Sequence, residues 1–247
     1  MAHIDSFLNC NFYQRNYQLK INQLTMFYQK FARFNYDSFL PVYIFDENYP
    51  KKLSMLKNPP CLLFCSGNVS LLNMEKSIAV VGSRNISDYG KIITERTTSY
   101  FAKNGANIVS GLAKGIDTNA HQSALNNNAP TTAVLVDIKT ISPSSNINLA
   151  KEIVQNGGLI FSENIPGTQA SDAYLFIERN RIQAGLSKLI VIIEAGSESG
   201  SHSTAKHAIE QKKPIYCFVI FQCFIRIFSI YNPFWFYIFI IISIFYP

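Results

Sequence analysis

A doubly wound α/β domain on a mostly parallel sheet, preceded by a small helical appendage, is the fold this sequence predicts. Three observations predict it. Short continuous apolar runs, such as Ile78-Ala79-Val80-Val81 and Leu189 to Ile193, suit strands covered on both faces. Segments with helical spacing alternate with those runs, the pattern of a parallel sheet with crossover helices. Glycine and small polar residues follow several of the runs, where a strand must turn into a helix.

The elements follow in order. Residues 1–40 are polar and aromatic, with weak helical spacing around Leu19, Leu24, Phe27, Phe31 and Phe34, and read as the appendage. Pro41 and the following Val-Tyr-Ile give an opening strand, and Asn48-Tyr49-Pro50 a turn. Pro59-Pro60 leads into the apolar run Cys61 to Phe64, closed by Ser66-Gly67-Asn68. The strand at Ile78 ends at Gly82, and Ser87 is placed to cap a helix carrying Tyr89, Ile92, Ile93, Tyr100 and Phe101. Asn104-Gly105 stops that helix, and Ile108-Val109 forms the next strand. A helix through Ala120 and Leu125 leads to a strand from Thr132 to Val136. The helix Ile147, Ala150, Ile153, Val154 ends at Gly157-Gly158, before the strand Leu159-Ile160-Phe161. A helix around Arg179 to Leu186, the strand Leu189 to Ile193, a helix from Thr204 to Gln211 and a strand from Ile215 complete the pattern. The expected organisation is therefore an appendage at 1–40, the α/β domain at 41–217 and a separate tail at 218–247.

Composition bounds the function. With 247 residues, 48% apolar and 15% charged, the chain can bury a sizeable core and is not a disordered one. Lys+Arg number 22 against 16 Asp+Glu, a formal +6, which permits a polyanionic partner without requiring one. The 5 Cys include no CxxC pair, and Cys61 and Cys65 have no histidine nearby, so no metal site is expected. The opening Met-Ala-His-Ile-Asp-Ser-Phe has no apolar core of a leader, so a cytoplasmic location with reduced thiols is expected.

Chemistry is expected beyond the carboxyl ends of the parallel strands, where loops enter helix N-termini. Gly82-Ser83-Arg84 combines close backbone approach, a hydroxyl and a forked cation suited to phosphate, although a plain turn with a surface arginine has the same composition. Ser110-Gly111-Leu112-Ala113-Lys114-Gly115 has the character of a phosphate-cradling loop at the opening of a helix, with Lys114 beside it. It is neither a Walker A loop nor GxGxxG. Asp117 is placed to cap the helix that follows, and His121, four residues on, shares its face. The pair suits acid–base work or, more commonly, structural hydrogen bonding. Arg179-Asn180-Arg181 offers two cations that ordinary solvation would also explain. The run 194–201, including Gly200 and Ser201, is again anion-accepting, provided Glu194 and Glu198 point away. No GxSxG elbow, HExxH or paired catalytic carboxylates occur, and the expected convergence of these loops on one edge of the sheet favours a phosphate-bearing ligand over independent accidents.

These motifs, in this order, resemble the DNA-processing protein A (DprA/Smf) family of bacterial cytoplasmic proteins. The similarity runs from Tyr49-Pro50-Lys51-Lys52-Leu53 through Pro59-Pro60 and Gly67-Asn68. It continues with IAVVGSRNISDYG (Ile78 to Gly90), IVSGLAKGIDTNAH (Ile108 to His121), ERNRIQAGLS (Glu178 to Ser187) and Ile192 to Cys217. The resemblance implies an extended Rossmann-like fold and a protein that binds single-stranded DNA, protects incoming strands and assists RecA loading in natural transformation. It implies no enzyme activity and no cofactor. Gly82, Ser83, Arg84, Ser110, Gly111, Lys114, Gly115, Arg179, Asn180, Arg181, Gly200 and Ser201 are then expected at the DNA phosphates, with Asp117 and His121 supporting the loops.

The chain also departs from the family pattern. The stretch Val136 to Pro143 lacks the usual glycines, and Asp137 brings a negative charge to a strand end near the expected groove. After Cys217 the similarity is expected to stop, and no counterpart is expected of the winged-helix module that some members append. The tail, Phe218 to Pro247, holds one charge, Arg226, and 12 of the 33 aromatic residues. A reading-frame change near Cys217 accounts for that composition, and would leave the last strand malformed and the family's homodimer compromised. A membrane span from Ile227 and soluble packing are the alternatives for the tail. For the whole chain, the alternatives are a nucleoside-monophosphate-processing enzyme of the lysine-decarboxylase-like Rossmann type and an inactive truncated product. The enzyme would need a Pro-Gly-Gly loop, which the sequence lacks.

Overall fold

The computed structural model describes residues 39–168, 173–195 and 199–218, and the backbone of 238–240. Apart from residues 39 and 40, the expected appendage lies outside them. In chain order the strands are β1 (Leu40–Tyr43), β2 (Leu62–Gly67), β3 (Ser77–Gly82), β4 (Asn107–Ser110), β5 (Thr131–Leu135), β6 (Leu159–Ser162), β7 (Leu189–Ile193), β8 (Ile215–Phe218) and β9 (Ile238–Ile240). The helices are α1 (Lys51–Ser54), α2 (Asp88–Lys103), α3 (Ile116–Asn126), α4 (Ile147–Gln155), α5 (Ala173–Leu186) and α6 (Ser201–Glu210).

The nine strands of the described residues join one sheet, ordered β1-β2-β6-β5-β4-β3-β7-β8-β9. From β6 to β9 every pairing is parallel, while β1 and β2 add an antiparallel edge. Alternation along the strands sends side chains to two helical layers. Val80, Ile108 and Ile193 pack under α2 and α3, and Ala133, Leu135 and Ile160 under α4. Their neighbours Val81 and Ile192 face α5 and α6, while Val109, Val134 and Phe161 meet Ile182 and Leu186 of α5 and Leu53 of α1. Both faces are thus covered, which is why the strands read as unbroken apolar runs.

Local chemistry sets the ends of these elements. Ser87 caps α2 by accepting from the Gly90 amide at 3.1 Å. Asn104 closes that helix, and Gly105, at φ 71°, turns the chain into β4. Two threonines tie β5 to β4: Thr131 Oγ1 donates to the Ile108 carbonyl at 2.8 Å and Thr132 Oγ1 to Asn107 Oδ1 at 3.0 Å.

Three expectations are corrected. The last strand is not malformed: β8 pairs with β7 over its full length, from Ile190 with Ile215 to Ile193 with Phe218. Ile238–Ile240 extends the sheet beyond β8, so the centre of the stretch considered as a membrane span is a β-strand. Among the described residues no helix is long and apolar enough to cross a membrane. Asp137 does not project its charge into a groove, because its carboxylate accepts from the Gly167 amide at 2.9 and 3.1 Å and from the Lys139 amide at 2.9 Å. It stitches the chain after β5 to the loop after β6.

Candidate functional site

Strand β3 lies between β4 and β7, so the chain leaves it toward one side of the sheet and later returns on the other. At such a reversal the loops after parallel strands splay apart and open a crevice at their carboxyl ends. A cleft of about 1020 Å³ occupies that position. Gly82, Ser83 and Arg84 reach it from β3, Gly111 and Lys114 from β4, and Gly200 and Ser201 from the start of α6. Arg179 and Asn180 of α5 line it as well. Nine of the twelve expected phosphate-site residues therefore meet around one cleft.

The loops are locked together by backbone contacts. The Ser83 amide donates to the Ile193 carbonyl at 3.2 Å, and the Ser83 carbonyl accepts from the Ile116 amide at 3.0 Å. That second bond requires Gly115, at φ 76°, because a Cβ there would fall 2.3 Å from the Ser83 carbonyl oxygen. Gly115 thus joins two loops rather than lining the cleft. Ser110 is likewise outside it: its buried hydroxyl donates to the Val80 carbonyl at 2.7 Å.

Arg179 forms the floor. It is 6% exposed, so the reading of the Arg-Asn-Arg segment as solvated surface does not hold for this residue. Its Nη1 donates to the carbonyls of Gly111, at 2.9 Å, and Val134, and its Nε to Asn180 Oδ1 at 3.1 Å. A Cβ on Gly111 would meet the guanidinium at 2.4 Å, so glycine is what admits the arginine. Burial draws the Arg179 pKa down to about 10, with Asp117 opposing the shift and Arg84 adding to it. Asn180 Nδ2 reaches Ser203 Oγ at 2.6 Å and the Gly200 carbonyl at 3.3 Å, tying α5 to the start of α6. Arg181 points elsewhere. It grips Glu163 with two hydrogen bonds of 2.6 Å and donates through Nε to the Asn58 carbonyl at 3.0 Å.

Asp117 supports the loop that precedes its helix. Its Oδ2 accepts from the amides of Gly111 at 3.0 Å and Ala113 at 3.3 Å. Burial raises its pKa, and Arg179 and those amides oppose the rise. The expected pairing with His121 is replaced by another: His121 Nδ1 sits 2.7 Å from Thr131 Oγ1, under the sheet. Burial and then the charge of Arg179 hold His121 neutral, with its pKa lowered to about 3. Neither residue is placed to relay a proton to the other.

The rim is different. Arg84 and Lys114 are exposed, and neither has an acidic partner among the described residues. Glu194 is turned aside: its carboxylate accepts from the Ser87 amide at 3.0 Å and from the Ser87 hydroxyl. Glu198 lies outside the described residues. Asn146 and Phe176 escape sequence reasoning. Asn146 Nδ2 donates to the Leu112 carbonyl and Thr118 Oγ1, both at 2.8 Å, and so braces the loop that carries Lys114. Phe176 lines the cleft, with the Arg179 guanidinium 5.9 Å from its ring centre. Asn146 stands in a polar stretch and Phe176 before the Glu-Arg-Asn-Arg motif, and no spacing signal marks either.

Fold and cleft together define a Rossmann-like α/β protein with a crevice, basic at its rim, at the sheet's switch point. Comparison with known proteins makes the class specific. The model of the DNA recombination-mediator protein A family matches residues 41–223, and the chain belongs to that family. The match runs past Cys217, where the similarity was expected to end.

The DNA processing protein DprA of Streptococcus pneumoniae is 38% identical over 206 residues, 83% of this chain and 69% of that protein. Its X-ray structure aligns with a TM-score of 0.68 and 35% identity, covering 85% of this chain and 72% of that one. Protein Smf of Borreliella burgdorferi is 38% identical over 184 residues, 72% of this chain but 56% of its own length. The DNA processing protein A of Helicobacter pylori, whose structure concerns its single-stranded DNA binding mode, aligns with a TM-score of 0.66 and 34% identity. That alignment covers 75% of this chain and 83% of the other.

Proposed function

We propose that this protein binds single-stranded DNA by its phosphates along the Arg84–Lys114 rim, protects incoming strands and assists the loading of RecA. One observation carries the reading: two exposed cations, without an acidic partner among the described residues, stand over a cleft beside which the described carboxylates Asp117 and Glu194 are spent on backbone amides. The rim is left electropositive, and the loops offer backbone and hydroxyl donors beside it. Membership of the recombination-mediator family and the named DNA-binding mode of the Helicobacter pylori relative support the same ligand. The site is non-catalytic in this reading, because the Asp117 and His121 side chains are both committed to the scaffold. A cytoplasmic location and a homodimer belong to the proposal, as does action in natural transformation.

The test is binding of oligo-dT, oligo-dC and mixed-sequence single strands, measured by fluorescence anisotropy across a salt series. The expected result is similar affinity for all three, with a log–log salt slope of about −0.7 per phosphate contacted. Free base released from nucleoside monophosphates, without strand binding, would favour the enzyme reading instead.

A further inference from the structure

One residue of the cleft is left with an unmet hydrogen-bond donor. Gln183 stands four residues beyond Arg179 on the same face of α5, lines the cleft and is 1% exposed. Its side-chain Nε2 is buried and has no hydrogen-bond partner among the described residues. Five buried polar side-chain atoms among the described residues are in that condition, and Gln183 Nε2 alone belongs to a residue that lines the cleft. A buried N–H without an acceptor bears its full desolvation cost, so an acceptor that enters the cleft meets a donor already stripped of water.

The surroundings decide which acceptor fits. Neighbouring donors are engaged: Arg179 directs Nη1 and Nε to the Gly111 and Val134 carbonyls and Asn180 Oδ1, and Asn180 directs Nδ2 to Ser203 Oγ and the Gly200 carbonyl. The exposed cations Arg84 and Lys114 stand at the rim, while Val81, Ala173, Phe176 and Ile177 give the cleft an apolar wall. At about 1020 Å³ the cleft has room for a group of small-molecule size. A neutral donor beside apolar side chains suits a flat, uncharged group with acceptors along its edge. In a nucleic acid that group is the base and not the phosphate.

We propose that the cleft receives one unstacked base of a bound single strand, and that Gln183 Nε2 donates to an acceptor on the edge of that base. Each of the four bases carries a carbonyl oxygen or ring nitrogen able to accept, so a lone donor holds a base without choosing among them. The strand is then gripped by its phosphates at the rim and by a base within the cleft. The inference deepens the single-strand reading and rests on it.

The test compares oligo-dT with a strand of equal length built wholly of tetrahydrofuran abasic units, by fluorescence anisotropy at one salt concentration. Gln183→Met keeps the length of the side chain and removes the donor. It is expected to weaken oligo-dT binding about three- to tenfold, the size of one buried hydrogen bond, and to leave binding of the abasic strand unchanged. An equal loss on both strands, or a loss on neither, would overturn the proposal. The Gln183 side-chain amide resonances of the wild type give a reading that needs no variant. They are expected to shift on saturation with oligo-dT and to stay in place with the abasic strand; the same response to both strands overturns the proposal. Failure of the wild type to bind either strand would overturn the single-strand reading and this inference with it, whereas binding that ignores Gln183 overturns the inference alone.

Discussion

Arg179 and Arg84 share a cleft and a side chain, yet one is floor and the other rim. Arg179 is buried, bonded to two backbone carbonyls from different strands' ends, and stands within the field of Asp117. Arg84 is exposed and, among the described residues, has no acidic partner. The difference lies in what surrounds each guanidinium. A fork enclosed by fixed carbonyls has spent its donors on the scaffold, whereas a fork facing solvent keeps them for a ligand. A motif arginine thus builds the cleft in one place and stands exposed at its rim in the other.

Substitution on the floor should cost stability before anything else. Arg179→Met removes the guanidinium's bonds to the Gly111 and Val134 carbonyls and to Asn180, together with the charge that opposes the rise in the Asp117 pKa, so a loss of about 3–5 kcal/mol is expected in chemical denaturation. Adding Asp117→Asn should return part of that loss. A loss within about 0.5 kcal/mol would erase the distinction between floor and rim.

Arg181, two residues on, sharpens the comparison from outside the cleft. Its paired hydrogen bonds to Glu163 are mostly shielded, with side chains 12% and 19% exposed. Arg181→Met should therefore cost about 1.5–3 kcal/mol and leave the salt slope of DNA binding unchanged. A flattened slope would place Arg181 at the phosphates after all.

The smallest effect at neutral pH belongs to His121. Its folded-state pKa, about 3, lies below the ordinary 6.5, so the unfolded chain takes up the proton first as pH falls. The contribution is complete above pH 6.5 and is lost progressively as pH falls toward 3. His121→Asn, which preserves a donor toward Thr131, should flatten that part of the stability curve relative to the wild type. Parallel curves would contradict a buried neutral imidazole.

The parallel sheet was legible because burial on both faces writes itself as unbroken apolar runs, as at Ile78 to Val81. The loops were legible because glycine is demanded where Gly111 admits Arg179 and Gly115 approaches Ser83. Partners were not. Asp117 and His121 share a helix face in sequence, but α3 packs on β4 and β5, and the buried hydroxyl of Thr131 takes the imidazole. The Arg-Asn-Arg segment has a polar composition that ordinarily marks solvent, and only tertiary packing separates its buried Arg179 from an exposed cation. Glu194 followed an apolar strand and gave no sign that a left-handed turn would aim it at α2.

The central claim is that Arg84 and Lys114 meet DNA phosphates. It is tested most directly by the salt dependence of single-strand binding in the double variant Arg84→Ala, Lys114→Ala. With two phosphate contacts removed, the log–log slope should shallow by about 1.4, and affinity should fall alike for every base composition. An unchanged slope and affinity in a variant that keeps the wild-type Tm would contradict the account.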